Sequence, residues 1–188
     1  RAFGKLNGPA TSIGALLLAN LGGIWGETPG LADTDVRVYR STEFGNDGVL
    51  DTGGGVTRSI TARQLGPRAL RCGDILLEKS GGGPNQPVGR VVWVPELTSA
   101  AVCSNFVQLL RPDPMRVVPR FLFQLLWWWH RAGRTRTFQR QTTGIRNLQT
   151  KGYLAQTLRL PRIEEQALIS EQIDGVGAVM ACETDHSR

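Results

Sequence analysis

The stretch from Gly73 to Val94 leaves the chain few ways to fold. Ile75 and Leu77 alternate with Leu76 and Glu78 in a short β-prone run that stops at a triple glycine, and Val88, Val91, Val92, Trp93 and Val94 resume β-branched and aromatic character after Pro87. This pattern predicts strand, loop, strand. Glycines and prolines in so short a connection remove bulk where the backbone bends and let a large partner come close. Lys79 and Arg90 stand at its two ends. The loop reads either as a cationic seat for a phosphate-bearing surface or as a glycine-rich hairpin with two solvated cations. It is not a nucleotide-binding phosphate loop, because Gly89 is followed by Arg90 and a strand, where that motif needs Gly-Lys-Ser/Thr and a helix.

With 188 residues, 40% of them hydrophobic and 20% charged, the chain fits one globular domain with a sizeable core. The longest apolar runs, Ile13 to Leu21 and Phe121 to Trp129, are too short to span a bilayer, and no charged segment with a cleavage site precedes the first, which points to a cytoplasmic protein. Cys72, Cys103 and Cys182 are widely spaced, with no Cys-x-x-Cys pair, so no disulfide framework is expected. With only His130 and His186 beside them, no metal centre or other cofactor is expected.

A net charge of +6 points to an acidic partner, and its distribution sharpens the point. From Arg120 to Arg162 every charged residue is basic, eight arginines and one lysine, whereas Glu164 to Asp185 holds only acids. A run of this kind is commonly a solvated face, but the arginine excess favours recognition of phosphates and base edges. Within it, 134–148 combines guanidinium, amide and hydroxyl groups with little that packs. It is expected as a surface loop turning at Gly144, with side chains of the kinds that read duplex grooves.

Ile13, Leu16, Leu17 and Leu21, behind Ser12 and before Gly22-Gly23, have the spacing of a capped helix. Val36 to Tyr39 is expected as a strand, Asn46-Asp47-Gly48 as a turn, and Val102 to Leu110 as one buried strand. Pro119 opens a core helix that is apolar almost all round, with Trp127 or Trp129 at a rim; the tryptophan triplet is read as packing rather than as a base-stacking platform. His130 closes that helix. Leu158 to Pro161 is a last strand and Glu164 to Glu183 a last helix, on which Ile169, Ile173, Val176 and Met180 follow coiled-coil steps. The expected fold class is α+β: one domain with a mixed, twisted sheet and a core helix, followed by a C-terminal helix of coiled-coil type.

These pieces, taken in order, resemble the DNA-specificity (S) subunit of type I restriction-modification systems, and within it a single target recognition domain. Ile24-Trp25-Gly26-Glu27-Thr28-Pro29 resembles its amino-terminal Gly-x-Thr-Pro element, and Val38 to Thr42 its first strand and loop. Gly73-Asp74-Ile75-Leu76 with Gly89-Arg90 resembles its signature hairpin, followed by Asn105 in the next strand. Thr143-Gly144-Ile145 to Leu148 resembles its Thr-x-Gly loop, and Leu160-Pro161-Arg162-Ile163-Glu164-Glu165-Gln166-x-x-Ile169 the entry to its conserved helix. The family subunits hold two recognition domains and two such helices, whereas this chain supplies one of each. It begins at Arg1 rather than methionine, which reads as a fragment or a missing beginning.

The resemblance implies a non-catalytic subunit that guides a methyltransferase subunit and a restriction subunit to one half of a bipartite double-stranded DNA site. It divides the chain into a recognition domain, 1–161, and the start of a spacer or dimerisation helix, 162–188. Side-chain type and loop position assign Lys79, Arg90, Arg120 and Lys151 to phosphates, and Arg40, Arg136, Arg140, Thr142, Thr143, Arg146 and Asn147 to the groove. Ile169, Ile173, Val176 and Met180 would pair with a second conserved helix, most simply that of a second copy in a homodimer; the alternative is that the helix folds back on its own domain. Two alternatives stand beside this reading. One is a metal-dependent DNA nuclease built on Asp74, Glu78 and Lys79, although adjacent Glu78 and Lys79 point to opposite faces of a strand. The other is a generic nucleic-acid-binding module, which would bind duplexes without sequence preference.

Overall fold

The computed structural model describes residues 8–82, 87–142 and 144–185, without the side chains of Thr142 and 176–185. At its centre lies a four-stranded antiparallel sheet in the order β2-β9-β5-β7, formed by β2 (Leu17–Gly22), β5 (Ile75–Glu78), β7 (Val91–Trp93) and β9 (Val107–Pro112). The expected hairpin is β5 and β7, with Ile75 opposite Trp93 and Leu77 opposite Val91. All four residues of β5 are buried because both of its faces are covered. Ile75 and Leu77 join Val91, Leu110 and the core helix on one side, while Leu76 joins Val92, Leu109, Tyr39 and Phe44 on the other.

That helix, α2 (Pro119–Arg131), starts with proline at its first position, as the sequence predicts, and buries Phe121, Leu122, Leu125 and Leu126 against the sheet. Beyond the opposite face lies a second sheet of β3 (Thr34–Tyr39), β4 (Val56–Ile60) and β8 (Ala101–Cys103), in the order β4-β3-β8; β3 and β8 run parallel, so the fold is mixed α+β. The short helix α1 (Ala62–Arg68) links β4 to the central sheet. A third sheet, in the order β10-β11-β6, combines β6 (Ser80–Gly81), β10 (Gln139–Thr142) and β11 (Ile145–Leu148). β1 (Ala10–Ser12) pairs with β12 (Thr157–Arg159), bringing the two ends of the domain together; α3 (Thr150–Leu154) precedes β12, and α4 (Ile163–Asp185) follows it.

Three expectations are corrected. The predicted helix from Thr11 to Leu21 is a single 3-10 turn, Ile13–Leu16, followed by strand β2. Ser12 caps that turn, and Ile13 and Leu16 are core residues, but the i, i+3, i+4 spacing that suggested a longer helix arises from the turn and the strand together. Val102 to Leu110 is two strands in different sheets, parted by a turn at Ser104-Asn105-Phe106, so Asn105 lies in a turn and not in a strand. The segment 134–148 is a 3-10 turn and a β-hairpin rather than an irregular loop, and Gly144 takes the positive φ of 88° that its connection requires.

The first turns of α4 pack on α2 across the boundary expected at Pro161. Gln166, 1% exposed, accepts from the Val118 backbone N–H at 2.9 Å and donates to the Pro161 carbonyl at 2.8 Å. Gln124 of α2 donates to the Ser170 carbonyl and to Asp174, and Arg120 grips both oxygens of Asp174. Ile169 packs against the main core on this face, with Ile173 one turn on. Leu168, 60% exposed, lies on the opposite side of the helix.

Candidate nucleic-acid interface

The β5–β7 hairpin anchors two surface segments at its mouth. Glu78, at the end of β5 and 1% exposed, accepts from Arg90 Nε and Nη2, each at 2.9 Å. Arg90 also donates to the Ser41 and Phe44 carbonyls, which ties down the loop after β3. Inside that loop Arg40 and Glu43 form a second ion pair at 2.6 Å. Burial pushes the Glu43 carboxyl up, but hydrogen bonds from the Arg40 side chain and backbone and from Thr42 outweigh it and hold the group below the usual carboxylate range. On the other side of the mouth, Gly89 has a φ of 100°, and a Cβ there would stand 3.0 Å from Thr135. Thr135 is fully buried, and Gln139 donates to the Val88 carbonyl, so the basic 3-10 turn Arg134–Phe138 and strand β10 are clamped onto the same hairpin.

The third sheet grows from this anchor. β11 pairs with β10 on one side and with β6, the continuation of β5, on the other. Side chains directly opposite one another across antiparallel strands share a face. Arg140, Asn147 and Ser80 therefore form a row across three strands, while Gln139 opposite Leu148 turns toward the core. Arg140 is exposed, Asn147 half-buried and Ser80 buried, and the Ser80 hydroxyl bonds to the Asn147 amide oxygen. Ile145, 47% exposed, follows on the Asn147 face. Beside β6 lies the turn whose Phe106 carbonyl accepts from the Lys79 and Ser80 N–H groups and whose ring is 49% exposed.

The predicted cations divide by environment. Arg140, Arg136 and Lys151 are exposed. Arg146, half-buried, lies opposite Gly81 on the other face of the sheet from Asn147. Lys79 reaches toward Gly22 at the β2 edge, where its Nζ would stand 3.2 Å from a Cβ on that glycine. Arg90 is spent on Glu78, and Arg120 on Asp174 while lying over the rings of Trp93 and Phe123, so both are structural cations here. Thr143, the Thr142 side chain, Val176 and Met180 lie outside the described residues. Ser80 and Phe106 join the surface without having been singled out; a serine beside glycines and an aromatic in a Ser-Asn-Phe turn are the only sequence signals they leave.

Trp129 is buried and edge-on to Tyr153, as packing predicts, while Trp127 and Trp128 are half-buried beneath Arg131 and Arg134, with ring-to-guanidinium distances of 5.3 and 5.2 Å. Burial holds the His130 imidazole below its ordinary pKa, and its Nδ1 lies 3.3 Å from Thr135 Oγ1. Asp74 is paired through both oxygens with Arg111 and accepts from the Arg71 backbone, so the two carboxylates of the nuclease alternative are each held by an arginine at opposite ends of β5. Among the described residues, no three His, Cys, Asp or Glu side chains cluster so as to hold a metal ion, and no helix is long and apolar enough to cross a membrane.

No protein-family model and no curated protein matches the sequence. The fold, however, has clear neighbours among solved structures. It is similar to a chain from a study of complex assembly and conformational transition in the type I restriction-modification system, with a TM-score of 0.64 and 18% identity over 98% of this chain and 45% of the other. It is also similar to the HsdS subunit of Thermoanaerobacter tengcongensis, with a TM-score of 0.60 and 18% identity over 96% and 40%. The S subunit of the M. genitalium type I system follows, with a TM-score of 0.53 and 14% identity over 96% and 44%. The chain has the fold of these type I restriction-modification proteins and spans less than half the length of each.

Proposed function

We propose that the chain is a target recognition unit of a type I restriction-modification specificity subunit, binding one half of a bipartite double-stranded DNA site and directing cytoplasmic methyltransferase and restriction subunits to it without catalysing a reaction itself. The observation that carries this reading is the match of nearly the whole chain to less than half of each of two specificity-subunit structures, the proportion expected of one unit of two.

The charge distribution supports it. Arg136, Arg140 and Lys151 are exposed on the anchored hairpin and the segments flanking it, and Arg146 lies on β11. In this reading Arg136, Arg140, Arg146, Asn147, Thr142 and Thr143 enter a groove, and Lys79 and Lys151 position the duplex through phosphates. Residues 1–161 form the recognition domain, and the helix from 162 on is a spacer. Its first turns are held by α2, so Val176 and Met180, beyond them, are the positions left to meet a second conserved helix, such as that of a second copy.

Selection of bound duplexes from a random pool, with and without the methyltransferase subunit, tests the proposal. A recovered sequence preference supports it. Binding without preference favours the generic module instead, and magnesium-dependent cleavage of plasmid DNA by the purified chain favours the nuclease.

A further inference from the structure

The row of Arg140, Asn147 and Ser80 has a polarity that specifies what it can read. An asparagine side chain ordinarily offers both an acceptor and donors, which is why it pairs bidentately with adenine through N7 and the N6 amino group. Here the Asn147 amide oxygen is turned sideways, toward the Ser80 hydroxyl on the neighbouring strand. Its amide nitrogen is hydrogen-bonded to none of the described residues and is not among their buried unpaired atoms. Arg140, directly opposite on β10, is exposed and its side chain makes no hydrogen bond or ion pair with the described residues. Arginine donates only, so the outward edge of the row consists of donors.

Resting on the reading of the chain as a DNA-recognition unit, we infer that this row is a donor-only base reader: Arg140 takes a guanine through O6 and N7, Asn147 takes an acceptor of the adjacent base, guanine O6 or thymine O4, and Ser80 is the positioning residue that denies adenine its bidentate pair, leaving only N7 as acceptor beside the opposed N6 donor. Cytosine, which presents only its N4 donor in the major groove, is rejected at the Asn147 position. The sheet geometry makes the two contacts neighbours, because directly opposed residues on one face have Cβ atoms only about 4.5–5.5 Å apart.

The test repeats the random-pool selection, with the methyltransferase subunit present, on wild type and three variants. Wild type should yield a guanine next to a position occupied by guanine or thymine. Arg140→Ala should relax the guanine preference roughly tenfold or more. Ser80→Ala, which frees the amide oxygen, should shift the preference at the adjacent position toward adenine while overall affinity stays near wild type. Asn147→Asp, which presents an acceptor, should move that position to cytosine; if this variant does not fold, the other two still decide. A preference for adenine or cytosine over guanine and thymine at the adjacent position in wild type, or unchanged preferences in Arg140→Ala and Ser80→Ala, would overturn the inference while leaving sequence-specific binding intact. A wild type that selects nothing would overturn the recognition reading itself, and the inference with it.

Discussion

Arg90 holds both carboxylate oxygens of Glu78 at 2.9 Å across the mouth of the β5–β7 hairpin, and with its remaining donors it reaches the Ser41 and Phe44 carbonyls. A cation that looks in the sequence like a phosphate hook is thus the tie between the central sheet and the loop after β3. Removing one member of a buried pair leaves the other charge uncompensated, which costs about 3–5 kcal/mol. Arg90→Ala should therefore lose that much stability in urea denaturation. Arg162→Ala, whose partner Glu165 lies 3.8 Å away with both side chains largely exposed, should lose less than about 1 kcal/mol. Equal losses would remove Arg90 from the structural role.

Gly89 is predicted to resist substitution for two independent reasons. Its φ of 100° disfavours any side chain, and a Cβ would press on buried Thr135. Gly89→Ala should cost about 1–3 kcal/mol and loosen the turn that leads into β10, read as faster amide exchange at Gln139 to Gln141. Gly144→Ala pays only the conformational penalty, since a Cβ there meets nothing within 4 Å, and should be milder.

Asp174 couples α4 to the domain in a pH-dependent way. Hydrogen bonds from Arg120 are the main cause holding its carboxyl below the ordinary aspartate value, with burial opposing them. A depressed folded-state pKa means that the contribution is fully present above the unfolded value of about 3.9 and is lost as pH falls through the lower folded value. Amide protection in the first turns of α4 should accordingly weaken below about pH 4. In Asp174→Asn it should already be reduced at neutral pH and should lose that acid step. An acid step retained in the mutant would assign it to another group.

Lys151 and Arg140 separate phosphate contacts from base contacts. Lys151→Ala should weaken binding uniformly across duplex sequences and lower the slope of log K against log salt by about 1, whereas Arg140→Ala should act on one base position. A sequence-dependent effect of Lys151→Ala would move it into the groove.

The sequence made the central hairpin and α2 legible because their signals are local: β-branched runs around glycines, and proline at a helix start. It misread 11–21 because apolar residues of one 3-10 turn and the strand after it happen to share helical spacing. The turn at Ser104 carries no glycine or proline to part β8 from β9. β10 is Gln-Arg-Gln-Thr and β11 sets Arg146 and Asn147 between Ile145 and Leu148, so no apolar alternation announces the hairpin; its register is fixed by pairing with Ser80–Gly81, more than sixty residues earlier. The candidate site was legible as a basic segment but not as a surface. Nothing local tells that Arg90 and Arg120 are consumed by Glu78 and Asp174, or that Arg140 and Asn147 share a row.

The most direct test of the central claim is the equilibrium dissociation constant for the selected duplex against a scrambled duplex of equal length and composition, measured across a salt series in the presence of magnesium. A recognition unit without catalysis should bind the selected duplex at least about tenfold tighter at moderate salt, keep that ratio as both affinities fall with added salt, and leave both duplexes intact. Equal dissociation constants at every salt concentration, or cleavage of either duplex, would contradict the account.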